Sequence, residues 1–115
     1  MTQTIVVGAG FGGIATALRC RALGHEVTLL ERLESLGGRA QVFERDGFKH
    51  DAGPTVITAP FMFEELFELF QKSLHDYATL VPLDTWYEFY FSDGNTFTYR
   101  GDIDHTLQEI ARFNE

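Results

Sequence analysis

The segment TIVVGAGFGGIATAL, residues 4–18, places Gly8, Gly10 and Gly13 in the order G-x-G-x-x-G. A dinucleotide site needs bare backbone at each of these points. Gly8 would sit in a tight turn, Gly10 where a pyrophosphate comes close, and Gly13 where a helix packs on a strand. The phosphates would lie at the N-terminus of the following helix, whose free N–H groups and dipole attract an anion. Glu31 stands 23 positions after Gly8, near the spacing at which a carboxylate accepts hydrogen bonds from ribose hydroxyls. A carboxylate there repels a 2′-phosphate, which disfavours NADP. No acid, base or nucleophile stands at catalytic spacing, and His25, His50, His75 and His105 read as surface residues. Catalytic residues are therefore not assigned, and any chemistry would belong to the bound cofactor.

The elements that must position this grip follow from hydrophobic patterning. Thr4–Val7 predicts a strand, Phe11 to about Leu23 a helix stopped by Gly24, and Glu26–Leu30 (EVTLL) a second, buried parallel strand that ends beside Glu31. Ala40–Arg45 and Phe48–His50 flank Asp46-Gly47, a type I′ hairpin signal. Residues 60–74 carry Phe63, Leu66, Phe67, Phe70 and Leu74 at helical spacing. TWYEFYF, SDGN and TFTY, residues 85–99, predict a second hairpin, and Asp102 to about Phe113 a final helix. The fold class is α/β, a partial Rossmann-like arrangement built on one βαβ unit plus a β-hairpin.

Composition narrows the partners. The apolar fraction of 44% suits a globular chain, and eleven Phe provide greasy surface as well as core. Residues 1–60 carry six basic and six acidic side chains, whereas residues 61–115 carry three and eleven, so the second half holds the whole net charge of −8. No basic patch is available for nucleic acid. Cys20 is the single cysteine, which excludes an intrachain disulfide, and no His/Cys cluster suggests a metal. A reducing, intracellular setting fits, with neither a signal peptide nor a membrane span in view.

Beyond Glu31 the chain reads Arg32, then four residues, then Gly37-Gly38-Arg39. This resembles the glycine-doublet motif of flavoproteins with a two-dinucleotide-binding fold, which points to FAD over NAD. The doublet would let the backbone pass close to the cofactor phosphates, and Arg39 would bond to them or to a neighbouring carboxylate. The longer run GGRAQVFERDGFKHDAGPTVIT, residues 37–58, together with VVGAGFGG, is similar to the N-terminal part of the bacterial-type phytoene desaturase family of carotenoid desaturases. The similarity continues through EELFELF and DTWYEFYFSDGNTFTY, and so covers essentially the whole chain.

That resemblance implies an FAD-dependent oxidoreductase that desaturates a long, apolar, phytoene-like polyene. The setting it implies is cytoplasmic and peripheral, at the membrane face where such a substrate dissolves. Gly8, Gly10 and Gly13 would hold the pyrophosphate and Glu31 the adenosine ribose, with Arg32, Gly37, Gly38 and Arg39 in the doublet motif. Gly53, Pro54 and Thr55 match the family segment that passes beside the flavin. Residues 1–58 are then the N-terminal part of the FAD-binding domain, and 59–115 begin a substrate-binding region. Family members are several times longer and complete the flavin fold with strands and a helix from their far C-terminal end, so these 115 residues read as an incomplete, N-terminal fragment that would be inactive alone.

Two positions depart from the family pattern. Ala59-Pro60 stands where Asp-Pro is common, which removes a helix cap worth ~1 kcal/mol unless Thr58 substitutes. Gln71 stands where a glycine is expected at the helix end. Other readings of the chain are an amine oxidase-like or carotenoid-oxidising flavoenzyme, and a non-catalytic, truncated nucleotide-binding remnant.

Overall fold

The computed structural model describes residues 1–53 and 55–113, which form two units, Met1–Ala78 and one beginning at Thr79. This division by contacts is a different criterion from the division at 58/59 by cofactor and substrate roles. Strand β1 (Gln3–Val7) pairs in parallel with β2 (Glu26–Leu30), in register from Gln3 opposite Glu26 to Val7 opposite Leu30. Helix α1 (Phe11–Ala22) connects them. Alternation along the strands turns Val6 toward α1 and leaves Ile5 (68% exposed) and Val7 (81%) on the open face. The helix stops as expected at Gly24, at φ +85°, with Gly24 N–H donating to Arg21 O and His25 N–H to Cys20 O. Arg19 and Arg21 in its last turn complement the dipole.

The first hairpin joins β3 (Val42–Arg45) to β4 (Phe48–Asp51). Asp46 and Gly47 both have positive φ, the geometry a type I′ turn requires. Helix α2 covers Pro60–Glu68, shorter than the patterned stretch 60–74. Its end explains the difference. Gln71 takes the left-handed conformation (φ +55°) while Lys72 N–H donates to Phe67 O and Gln71 N–H to Glu68 O. This is a Schellman stop, with glutamine where glycine is usual. Leu74 then belongs to a separate 3-10 turn, Leu74–Asp76, and is buried there. At the front of α2 the N-cap is Ala59 without a side-chain bond, so Thr58 does not replace the missing cap.

The second unit contains β5 (Tyr87–Tyr90), β6 (Thr96–Tyr99) and α3 (Ile103–Arg112). Register places Tyr87 opposite Tyr99 and Phe89 opposite Phe97, so four aromatic rings share one face of the hairpin. Asp102 caps α3 by accepting from His105 N–H, and Glu109 accepts from Thr98 N–H at 3.0 Å, which ties the helix to β6. Phe113 packs against Phe91 and Phe97 with its ring tilted by 59° and 58° to theirs.

Among the described residues only Val6, Ala9 and Leu74 are buried hydrophobics. The accessible surface is 9434 Å², against roughly 7,500 Å² for two well-packed units of these sizes taken separately. A parallel sheet is normally covered on both faces, and here the face bearing Ile5, Val7 and Leu30 carries no second layer among the described residues.

Candidate dinucleotide-binding site

The glycine-rich turn, the loop after β2 and the segment after β4 converge within the first unit. Gly8, at φ +95°, turns the chain out of β1 and donates its N–H to Leu30 O at 2.7 Å. Gly10 is the N-cap of α1, and the first intrahelical bond runs from Ile14 N–H to Gly10 O at 2.9 Å. No side chain caps this helix and its first turn holds no acidic residue, so its first-turn N–H groups are left open to an anion. Gly13 has the steric role expected of it. A Cβ added there would intrude on the Gly8 carbonyl oxygen and lie 3.7 Å from Val6 Cγ1.

Glu31 reaches back across the strand ends. Its Oε2 accepts from Ala9 N–H at 2.7 Å, and its Oε1 accepts from Leu33 N–H at 2.9 Å. The Leu33 and Ala9 amides, helped by Arg32, hold the carboxyl below its ordinary range. Each bond occupies one acceptor position on its oxygen, leaving the others open for a vicinal diol. Sequence spacing puts Glu31 just after β2, and its tether to Ala9 is what the structure adds.

The doublet loop docks on the first loop through backbone alone. Gly37 N–H donates to Ala9 O at 2.7 Å, and Gly10 and Gly37 form a parallel bridge. Gly38 lies against Gly10 so closely that an added Cβ would come within 3.0 Å of Gly10 Cα. Arg32 and Arg39 are exposed and form no ion pair among the described residues. Gly53 packs on the doublet segment, where an added Cβ would intrude on the Arg39 carbonyl oxygen. Thr55 is exposed, and Pro54 lies outside the described residues. A residue that motif reasoning missed is Gln41. Its side chain donates to Ser35 O at 2.8 Å and its carbonyl accepts Ala52 N–H at 2.8 Å.

These features fit a dinucleotide: an uncapped helix start, a carboxylate with free acceptor positions, and bare backbone where the two loops meet. Comparison with known proteins agrees. Residues 6–73 match the family described as NAD(P)-binding Rossmann-like domain. The chain is 46% identical over 114 residues to a phytoene desaturase (lycopene-forming) from Pantoea ananas, a match covering 99% of this chain and 23% of that protein. It is 39% identical over 105 residues to a 4,4'-diapophytoene desaturase (4,4'-diaponeurosporene-forming) from Staphylococcus haemolyticus, covering 91% of this chain and 21% of the relative. A 4,4'-diaponeurosporene oxygenase from Staphylococcus aureus is 39% identical over 107 residues, with 93% and 22% covered. The chain spans less than a quarter of the length of these curated relatives. With βαβ topology, glycine spacing and matched residues in accord, the chain belongs to the NAD(P)-binding Rossmann-like domain family.

Proposed function

We propose that these residues form the adenine-dinucleotide-binding portion of an FAD-dependent enzyme that desaturates a long apolar polyene, and that the enzyme works peripherally at a cytoplasmic membrane face. The observation that carries the reading is the docking of the doublet loop on the glycine-rich turn, with Glu31 tethered to the same Ala9. It rests also on the similarity to relatives named as phytoene and 4,4'-diapophytoene desaturases. In this reading the first turn of α1, with Gly10, receives the pyrophosphate, Glu31 receives the ribose hydroxyls, and Arg39 supplies positive charge at the phosphates. Gly53, Pro54 and Thr55 border the flavin end. Bound flavin supplies the two-electron oxidising capacity that desaturation needs. A polyene substrate partitions into lipid, and this favours the membrane face; among the described residues no helix is long and apolar enough to cross a membrane.

Flavin absorbance that survives gel filtration is the expected result for a purified version of the relatives' full length, with weaker retention in Glu31→Ala. Retention of NAD in place of FAD would overturn the cofactor assignment, and unchanged affinity in Glu31→Ala would remove Glu31 from the ribose site. The similarity to a protein named as an oxygenase supports a second reading, oxidation of a related polyene at the same flavin site. Product analysis with a saturated-end polyene separates the two, because desaturation adds a double bond and no oxygen.

A further inference from the structure

We infer that Gln41 is a positioning residue, a clasp that holds the glycine-doublet loop in place for the cofactor. The loop from Ser35 to Ala40 has two ties. On its near side Gly37 N–H donates to Ala9 O, which joins it to the glycine-rich turn. Gln41 makes the tie on the far side, and does so at several points. Its side-chain amide Nε2 reaches back to donate to Ser35 O at 2.8 Å, closing the loop across six residues. Its own N–H donates to Gly38 O at 3.4 Å, and its carbonyl accepts Ala52 N–H at 2.8 Å. One residue thus joins the doublet loop to the segment in which Gly53 packs on Arg39.

The side-chain bond separates from the main-chain bonds chemically. A donor at the tip of a long side chain is needed at position 41, because a backbone carbonyl such as Ser35 O can only accept. Gly37 sits at φ +109° and Gly38 at φ +59°, conformations that a glycine pair leaves readily when unrestrained. The clasp narrows that freedom before any ligand arrives, so less ordering remains to be done on binding.

The inference rests on reading residues 37–39 as part of the dinucleotide site, and its test keeps the two separable. Gln41→Met preserves length and apolar packing but removes the donor, while Gln41→Lys restores one. Backbone amide exchange across residues 35–40 and FAD affinity, from flavin fluorescence, are measured with each variant in a version of the relatives' full length. The expected result is exchange faster by about two- to tenfold in Gln41→Met, the range for one net hydrogen bond, with FAD weakened by a similar factor. Gln41→Lys should stay within about twofold of the parent on both readouts. Unchanged loop exchange in Gln41→Met, or a lysine variant as impaired as the methionine one, overturns the clasp. Faster exchange with unchanged FAD affinity overturns its positioning role. A parent chain that takes up no FAD overturns the cofactor reading instead, and loop exchange alone then decides whether the clasp exists.

Discussion

Gly12 and Gly13 are neighbours in the first turn of α1, yet the same added methyl group should move stability in opposite directions at the two. A Cβ on Gly13 would intrude on the Gly8 carbonyl oxygen and come within 3.0 Å of its carbon and 3.7 Å of Val6 Cγ1. The principal obstacle is backbone, and that backbone is anchored by Gly8 N–H donating to Leu30 O. It cannot swing aside as a side chain would. Helix α1 must retreat from β1, opening its contact with the buried Val6. Overpacking a tight site costs about 1–3 kcal/mol, and an immovable neighbour puts Gly13→Ala near the upper end. A Cβ on Gly12 meets nothing within 4 Å, so Gly12→Ala should gain up to about 1 kcal/mol from helix propensity. The two variants should therefore differ by about 3 kcal/mol, more than a hundredfold in the folding equilibrium. Urea unfolding followed by circular dichroism measures this, with midpoints about 1 M or more apart at an ordinary slope for a small domain. If Gly13→Ala stays within about 0.5 kcal/mol of the parent, or both variants lose stability equally, the helix–strand packing described for Gly13 is wrong.

Helix α2 lacks a side-chain N-cap and ends on a glutamine in the left-handed conformation, so Ala59→Asp should raise stability by about 1 kcal/mol and Gln71→Gly by about 0.5–1 kcal/mol. A thermal melt in which either variant falls below the parent refutes the cap geometry at that end. Glu31 has its folded pKa depressed by the Leu33 and Ala9 amides, so its contribution is present above the ordinary value of 4.5 and is lost as pH falls through the lower folded value. Asp93, depressed by Asn95 in the β5–β6 turn, acts in the same direction. Unfolding midpoints measured on the acid side should show Glu31→Gln with a shallower pH dependence than the parent; an identical profile would place the Ala9 and Leu33 bonds outside the folded ensemble.

Local chemistry carried far into the fold. Gly24, Asp46 and Gly47 have positive φ, and stop or turn signals read at those residues are where the helix stops and the hairpin turns. The parallel pairing of β1 with β2 follows from a strand–helix–strand pattern that can bury Val6 and Leu29 only against the connecting helix. Less legible was where α2 ends. The apolar spacing runs on to Leu74, but periodicity reports only which residues seek burial, and Leu74 finds it in a 3-10 turn after a left-handed break at Gln71. A glutamine at that break carries a conformational cost that glycine would avoid, so residue type alone does not mark the stop and only the family pattern points to position 71. Gln41 was equally silent. Its partner is a backbone carbonyl at Ser35, and nothing about residue type marks a carbonyl as waiting for a donor.

The glycines show how motif and structure divide the same information. Motif spacing marks where bare backbone is required without saying what approaches it. In the structure the requirement splits in two. At Gly13, Gly38 and Gly53 the chain itself fills the space, against Gly8, Gly10 and Arg39 respectively, so these glycines serve assembly of the site. At Gly12 no protein atom lies within 4 Å of the missing Cβ, and at Gly10 the nearest is Gly38 Cα at 3.9 Å. Those two lie at the start of α1, the end of the helix whose field favours an anion. Space left open by the chain, at the positive end of an uncapped helix and beside a tethered carboxylate, is what a dinucleotide needs on arrival. A glycine crowded by its own chain should punish substitution through stability, and one left open should punish it through ligand affinity. The pair Gly12 and Gly13 therefore tests the division of labour inside the motif as well as the packing.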